Sequence, residues 1–124
     1  MREFNENILC IFVTMQLKTM QEYEDPMNFN LPEISVVISV FNEEDNVVPL
    51  TEKIDEALSA YEYEIIYADD GSSDQTIERI NALNNPRVVL VELQRNYGQS
   101  YALAAGIDQA RGAYIVTMDG DLQN

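Results

Sequence analysis

Two aspartates, Asp119 and Asp121, leave the apolar run Ala113 to Met118 with only Gly120 between them. That spacing can bring both carboxylates toward one point, where their repulsion would push one of them to take a proton unless something compensates. A divalent cation removes the conflict. Oxygen-only ligands suit Mg²⁺ or Mn²⁺, and Mg²⁺ takes one or two protein carboxylates while leaving its other positions to water and phosphate oxygens. The pair therefore reads as a metal site whose free positions grip a diphosphate. Short D-x-D strings occur in many unrelated chains, so it is the position of this one, at the end of an apolar run, that gives it weight.

Three other apolar runs also end in polar stretches: FNEEDN (41–46), DDGSSD (69–74) and QRNYG (94–98). Asp and Asn favour turns and caps, and Asp74 and Asn46 are assigned to that role. Asp70, beside the tight Gly71 turn, offers an acceptor for a nucleobase edge; the alternative is a cap for the second helix. Phe41 offers a ring face for stacking, against ordinary burial in the core. Arg95, one of the few cations in these stretches, is assigned to a phosphate, against pairing with a surface acid. The first strand-to-helix turn has neither G-x-G-x-x-G nor a P-loop and carries Glu43, Glu44 and Asp45 instead. An acidic turn cannot cradle a bare phosphate, so phosphate would enter only with a cation.

The elements that must position these residues alternate in period. ISVVISVF (34–41), YEIIYAD (63–69), RVVLVEL (87–93) and AYIVTM (113–118) are apolar or β-branched runs expected for strands buried on both faces. Between them, Leu50, Ile54, Ala57 and Leu58 recur at helical spacing after a cap at Asp45 or Asn46. Ser72 and Gln75 have capping-box spacing ahead of Ile77, Ile80 and Leu83. Leu103, Ile107 and Ala110 face inward on a third helix that Gly112 stops. Four strands and three helices in alternation predict an α/β fold, a parallel four-stranded sheet with helices on both faces. Such sheets bind ligands beyond the carboxyl ends of their strands, where the four polar stretches lie.

At 124 residues and 46% hydrophobic content, the chain is one domain or less. Seven basic against 22 acidic residues give a formal charge of −15, which disfavours nucleic acid and anionic surfaces as partners. Without histidine there is no Ser-His-Asp triad, Cys-His pair or imidazole metal site. Lone Cys10 cannot form an internal disulfide, which fits a reducing, cytoplasmic compartment. ILCIFVTMQL (8–17) is about half of the roughly 20 residues a membrane-spanning helix needs. Its flank sets Arg2 against Glu3 and Glu6, unlike a secretory signal. Residues 1–32 are a leader of uncertain status: a start site placed too early, with Met27 ahead of the first strand, or a short accessory helix. Residues 33–124 form the domain.

ISVVISVFNEEDNV, YEIIYADDGSSDQT, LQRNYGQSYALAAGID and GAYIVTMDGDLQN, in this order, resemble the first half of the family 2 glycosyltransferases, which have the GT-A (Rossmann-like) fold. The resemblance is greatest to the polyprenyl-phosphate, dolichol-phosphate mannose synthase-like branch, and covers residues 34–124. It implies that Phe41, Asn42 and Glu43 line a nucleotide pocket and that Asp70 binds the base. It also implies that Asp119 and Asp121 hold the metal on the nucleotide diphosphate, with Gln123 completing the site. Ser39 stands where the family usually has proline. Family members continue well past this point with acceptor-binding and catalytic elements and often membrane helices. The chain is therefore expected to be an N-terminal portion ending at its metal motif, with its catalytic residues elsewhere and little transferase activity alone.

The expected reaction of the longer protein is transfer of a hexose from a nucleotide diphosphate sugar to a lipid phosphate, with inversion, at the cytoplasmic face of the membrane. A phosphate acceptor is already ionised near neutral pH and needs no general base, whereas a sugar hydroxyl would need a carboxylate from beyond this span. Two rivals are a non-catalytic nucleotide-binding remnant and a receiver-like phosphoacceptor domain. The second would want its acid pair after the first strand and a late lysine, but no lysine follows Lys53.

Overall fold

The computed structural model describes residues 14–17 and 31–120. The chain order is β1 (Thr14–Leu17), β2 (Ile34–Val40), α1 (Val47–Ala57), β3 (Tyr63–Asp69), α2 (Thr76–Asn81), β4 (Val88–Glu92), α3 (Gln99–Gln109) and β5 (Tyr114–Asp119). Every residue of β2 and β3 is buried, the polar Ser35, Ser39, Glu64 and Asp69 included, as expected of strands covered on both faces. β4, half-buried along most of its length, is one edge of the sheet.

The strands run in the order β1-β5-β2-β3-β4. β2 pairs in parallel with both β3 and β5, and β3 in parallel with β4, which gives the four parallel strands expected from the sequence. Part of the leader joins this sheet as a strand rather than packing on it as a helix. Thr14–Leu17 pair antiparallel with β5, Thr14 opposite Thr117 and Leu17 opposite Tyr114.

Helices cover both faces. Ile34, Val36, Ile38 and Val40 of β2 point to a core shared with Leu50 and Ile54 of α1 and Ile80 of α2. Val37, Ile66 and Ile115 point the other way, to Ala110, with Leu103 and Ile107 of α3 packed against them. Among the described residues no helix is long and apolar enough to cross a membrane.

Two boundary expectations change. α2 begins at Thr76, not at a Ser72 capping box. The Asp69 carboxylate accepts from the backbone N–H and the hydroxyl of Ser72, so a local turn outcompetes the helix there. α3 ends at Gln109, before Gly112. That glycine fits under β2, where an added Cβ would stand 2.7 Å from the Ser35 nitrogen.

Candidate functional site

Chain order and strand order part company at one place. The chain steps outward from β2 to β3 to β4, then returns across β2 to lay down β5 on its other side. A crevice opens at such a reversal, beyond the carboxyl ends of the two strands it separates. Here it lies between β2 and β5, where Ser39 is in register with Asp119. A cleft of about 150 Å³ at that point is lined by Ser39, Val40, Phe41, Glu43, Asp70, Gln99, Asp119 and Gly120.

Four residues singled out in the sequence thus converge: Phe41, Glu43, Asp70 and Asp119. Phe41 is 43% exposed, so its ring is available at the cleft and not part of the core. Glu43 Oε1 accepts a 2.6 Å hydrogen bond from the Asn46 side-chain amide, and its backbone N–H donates to Thr76 Oγ1 at 2.9 Å. Asp119 is exposed, and its Oδ1 accepts from Gln99 Nε2 at 2.7 Å. Gly120 follows because the chain must turn over Val40: a Cβ there would meet Val40 Cγ1 at 2.5 Å.

Asp70 differs from its expected role. It is buried, and its Oδ1 accepts the Tyr97 N–H at 2.8 Å while Oδ2 accepts the Gly98 N–H at 3.1 Å. The alternative of a cap for the second helix does not hold: Asp70 bonds the two residues just ahead of α3 and no helix N–H group. The carboxylate borders the cleft with its strongest acceptor directions already directed at that helix start. Asp69, fully buried, accepts from the N–H groups of Gly71 and Ser72 and builds the turn itself.

Two predicted site residues are not brought to the lining. Asn42 sits in the left-handed region at φ 53° and braces the two acidic loops against each other: its Oδ1 accepts from the N–H groups of Ser73 at 2.8 Å and Asp74 at 3.2 Å. Arg95 is exposed with its guanidinium 5.5 Å from the centre of the Tyr97 ring, a cation–π contact that holds it outside the cleft. Asp121 and Gln123 lie outside the described residues. Asn46 precedes α1 without a side-chain cap bond, whereas Asp74 does cap, accepting the Thr76 N–H at 2.9 Å. Slight burial opposes ionisation of Asp74, but the Thr76 hydroxyl, the Thr76 N–H and the Glu44 N–H outweigh it and hold its carboxyl below the usual value.

Reasoning from the sequence missed Gln99. The signal was available: it is a polar residue at the start of the helix that follows the third parallel strand, on the edge where the acids collect.

Among the described residues, the lining holds three carboxylates and no lysine or arginine. Among the described residues, no three His, Cys, Asp or Glu side chains gather closely enough to hold a metal by themselves. The donor set still fits a hard divalent cation, since an exposed carboxylate beside further acids suits an ion that takes one or two protein oxygens and fills its shell with water and phosphate.

The chain belongs to glycosyl transferase family 2, whose model matches residues 35–124. Its relatives narrow the branch. Dodecaprenyl-phosphate galacturonate synthase of Rhizobium johnstonii is 48% identical over 99 residues, 74% of this chain and 29% of the relative. Undecaprenyl-phosphate 4-deoxy-4-formamido-L-arabinose transferase of Pseudomonas fluorescens is 46% identical over 96 residues, 73% of this chain and 28% of the relative. The chain thus spans under a third of the length of these relatives. Among solved structures, S. aureus TarS 1–349 matches with a TM-score of 0.64 at 23% identity, over 72% of this chain and 27% of that one. Mannosyltransferase PcManGT from Pyrobaculum calidifontis, solved with GDP-Man and Mn²⁺, matches with a TM-score of 0.63 at 25% identity, over 78% of this chain and 29% of its own. The fold is that of the corresponding part of these GT-A glycosyltransferases.

Proposed function

We propose that this chain forms the donor-binding part of a metal-dependent, inverting glycosyltransferase that moves a hexose from a nucleotide diphosphate sugar to a polyprenyl phosphate. The observation that carries the reading is the cleft at the β2/β5 reversal, where Glu43, Asp70 and Asp119 meet beside an exposed Phe41 with no lysine or arginine among the described lining residues. A diphosphate entering that field requires a positive partner. The donor class is supported by PcManGT, solved with GDP-Man and Mn²⁺, and the acceptor class by the dodecaprenyl- and undecaprenyl-phosphate relatives.

In this reading Phe41 offers its ring to the base and Asp70 borders the base or ribose while it fixes the start of α3. Asn42 keeps the two acidic loops together. Asp119, with Asp121 and Gln123, holds Mg²⁺ or Mn²⁺. When bound, the cation neutralises charge on the departing diphosphate. Arg95 would have to leave the Tyr97 ring to reach a phosphate. A phosphate acceptor brings its own ionised oxygen, so a chain without histidine is not asked for a general base. The reading puts the chain in the cytoplasm and the longer protein at the cytoplasmic face of a membrane.

Binding of GDP and UDP to the chain, followed by calorimetry with and without Mn²⁺, tests this. The expected result is Mn²⁺-dependent binding that Asp119→Ala abolishes without lowering thermal stability, and little or no sugar transfer by residues 1–124 alone. Absence of nucleotide binding would favour the inactive remnant, and robust turnover would overturn the division of labour between this span and the rest.

A further inference from the structure

We propose that Gln99 is a positioning residue for Asp119, holding one carboxylate oxygen so that the other meets a divalent cation alone and the cleft prefers Mn²⁺ or Mg²⁺ to Ca²⁺. The proposal rests on the metal reading of Asp119 above and adds to it a residue and a selectivity.

Three observations carry it. Gln99 Nε2 donates to Asp119 Oδ1 at 2.7 Å across 20 positions of sequence, and both side chains line the same cleft. Among the described residues, Oδ2 of Asp119 accepts no hydrogen bond, so the tether occupies one oxygen and leaves one open. The backbone that carries Gln99 is itself fixed, because Asp70 accepts the N–H groups of Tyr97 and Gly98 immediately before it.

The chemistry of the donor matters as much as its distance. A lysine or arginine here would orient Asp119 and also cancel its charge, as Arg111 does for Glu64. A neutral amide orients without cancelling, so the carboxylate keeps its attraction for a cation. Holding Oδ1 also disfavours bidentate coordination. Ca²⁺ uses mono- or bidentate carboxylates in a flexible shell of six to eight oxygens, whereas Mg²⁺ demands near-octahedral geometry with single oxygens at each position. Hydrogen-bond partners of metal ligands typically alter metal affinity by about 10- to 100-fold when removed.

The test uses the chain with UDP and, in parallel, GDP present. Mn²⁺ binding is read by electron paramagnetic resonance and Ca²⁺ binding by calorimetry. Gln99→Met keeps the length and helix propensity of the side chain but removes the donor. The expected result is about a tenfold weaker Mn²⁺ affinity, a smaller Mn²⁺-over-Ca²⁺ preference and an unchanged thermal midpoint, with Gln99→Ala behaving alike. A merely structural role at the helix start would move the midpoint and not the preference. If Asp119→Ala abolishes Mn²⁺ binding while both Gln99 variants leave affinity and preference untouched, the positioning role is refuted and the metal reading survives. If Mn²⁺ binding is absent, or is indifferent to Asp119→Ala, both fall.

Discussion

Glu64 and Asp70 are almost equally buried, at 3% and 4% exposure, yet they lie at opposite ends of β3 and are held in opposite ways. Near the start of the strand, Glu64 Oε2 accepts from the Ser35 hydroxyl at 2.6 Å and the Arg111 N–H at 2.8 Å, and Oε1 accepts from Arg111 Nε and Nη2, both at 3.1 Å. A side-chain cation neutralises it, and Gly112 closes over the same Ser35. Past the other end, Asp70 is satisfied by backbone N–H groups alone and looks onto a cleft with two further carboxylates. The comparison teaches where acid is structural and where it stays chemically available. An acid matched by arginine is committed to the fold, while the cleft acids are held by amide donors and not by a side-chain cation, the arrangement that the proposed metal role needs.

The comparison predicts that damage at the Glu64 end affects stability alone, whereas the cleft end separates stability from binding. The largest stability effect is expected at the cleft end for Gly71→Ala. Gly71 has φ +78°, and a Cβ would stand 2.5 Å from the Arg95 carbonyl carbon and 2.6 Å from the Asn96 nitrogen. Left-handed strain and overpacking against backbone together cost about 3 kcal/mol, measurable by urea denaturation. Glu64→Ala leaves the Ser35 O–H and the Arg111 N–H without their acceptor and should cost about 2 kcal/mol, discounting the solvent-exposed guanidinium. Nucleotide binding measured on the folded fraction should not change. If it does, the two ends are coupled and the comparison breaks.

Asp70→Asn retains the shape but removes the charge at the start of α3 and one of its two acceptors. A loss of about 1 kcal/mol by denaturation is expected together with weakened nucleotide binding, the one substitution here that moves both readouts. The smallest effect concerns Asp74. Its folded-state pKa is lowered, so its contribution is fully present above the unfolded carboxylate value and is lost as pH falls through the folded one. Acid titration should therefore show a modest stability loss in the acidic range and a flat profile near neutral pH, whereas Asp74→Asn should be slightly less stable at neutral pH and lack that acid step.

The sequence by itself determined the four parallel strands, the helices on both faces and the edge at which polar residues gather. Those features follow from periodicity and β-branched content, which act over a few residues. It could also nominate acids, because a cleft beyond strand ends must be lined by the residues that follow strands. What it could not decide is the fate of each one. Asp69 and Asp70 are adjacent and identical, yet one folds back on Gly71 and Ser72 and the other reaches 27 positions ahead to Tyr97. Arg95 finds a tyrosine ring, and Gln99 finds Asp119. The Asp70 bonds depend on where α3 starts over the sheet, and the Gln99–Asp119 bond also on β5 lying beside β2. For Asp70 and Gln99 the hydrogen-bond partners lie 27 and 20 positions away, so only strand order and register bring those partners close enough to compete with local ones.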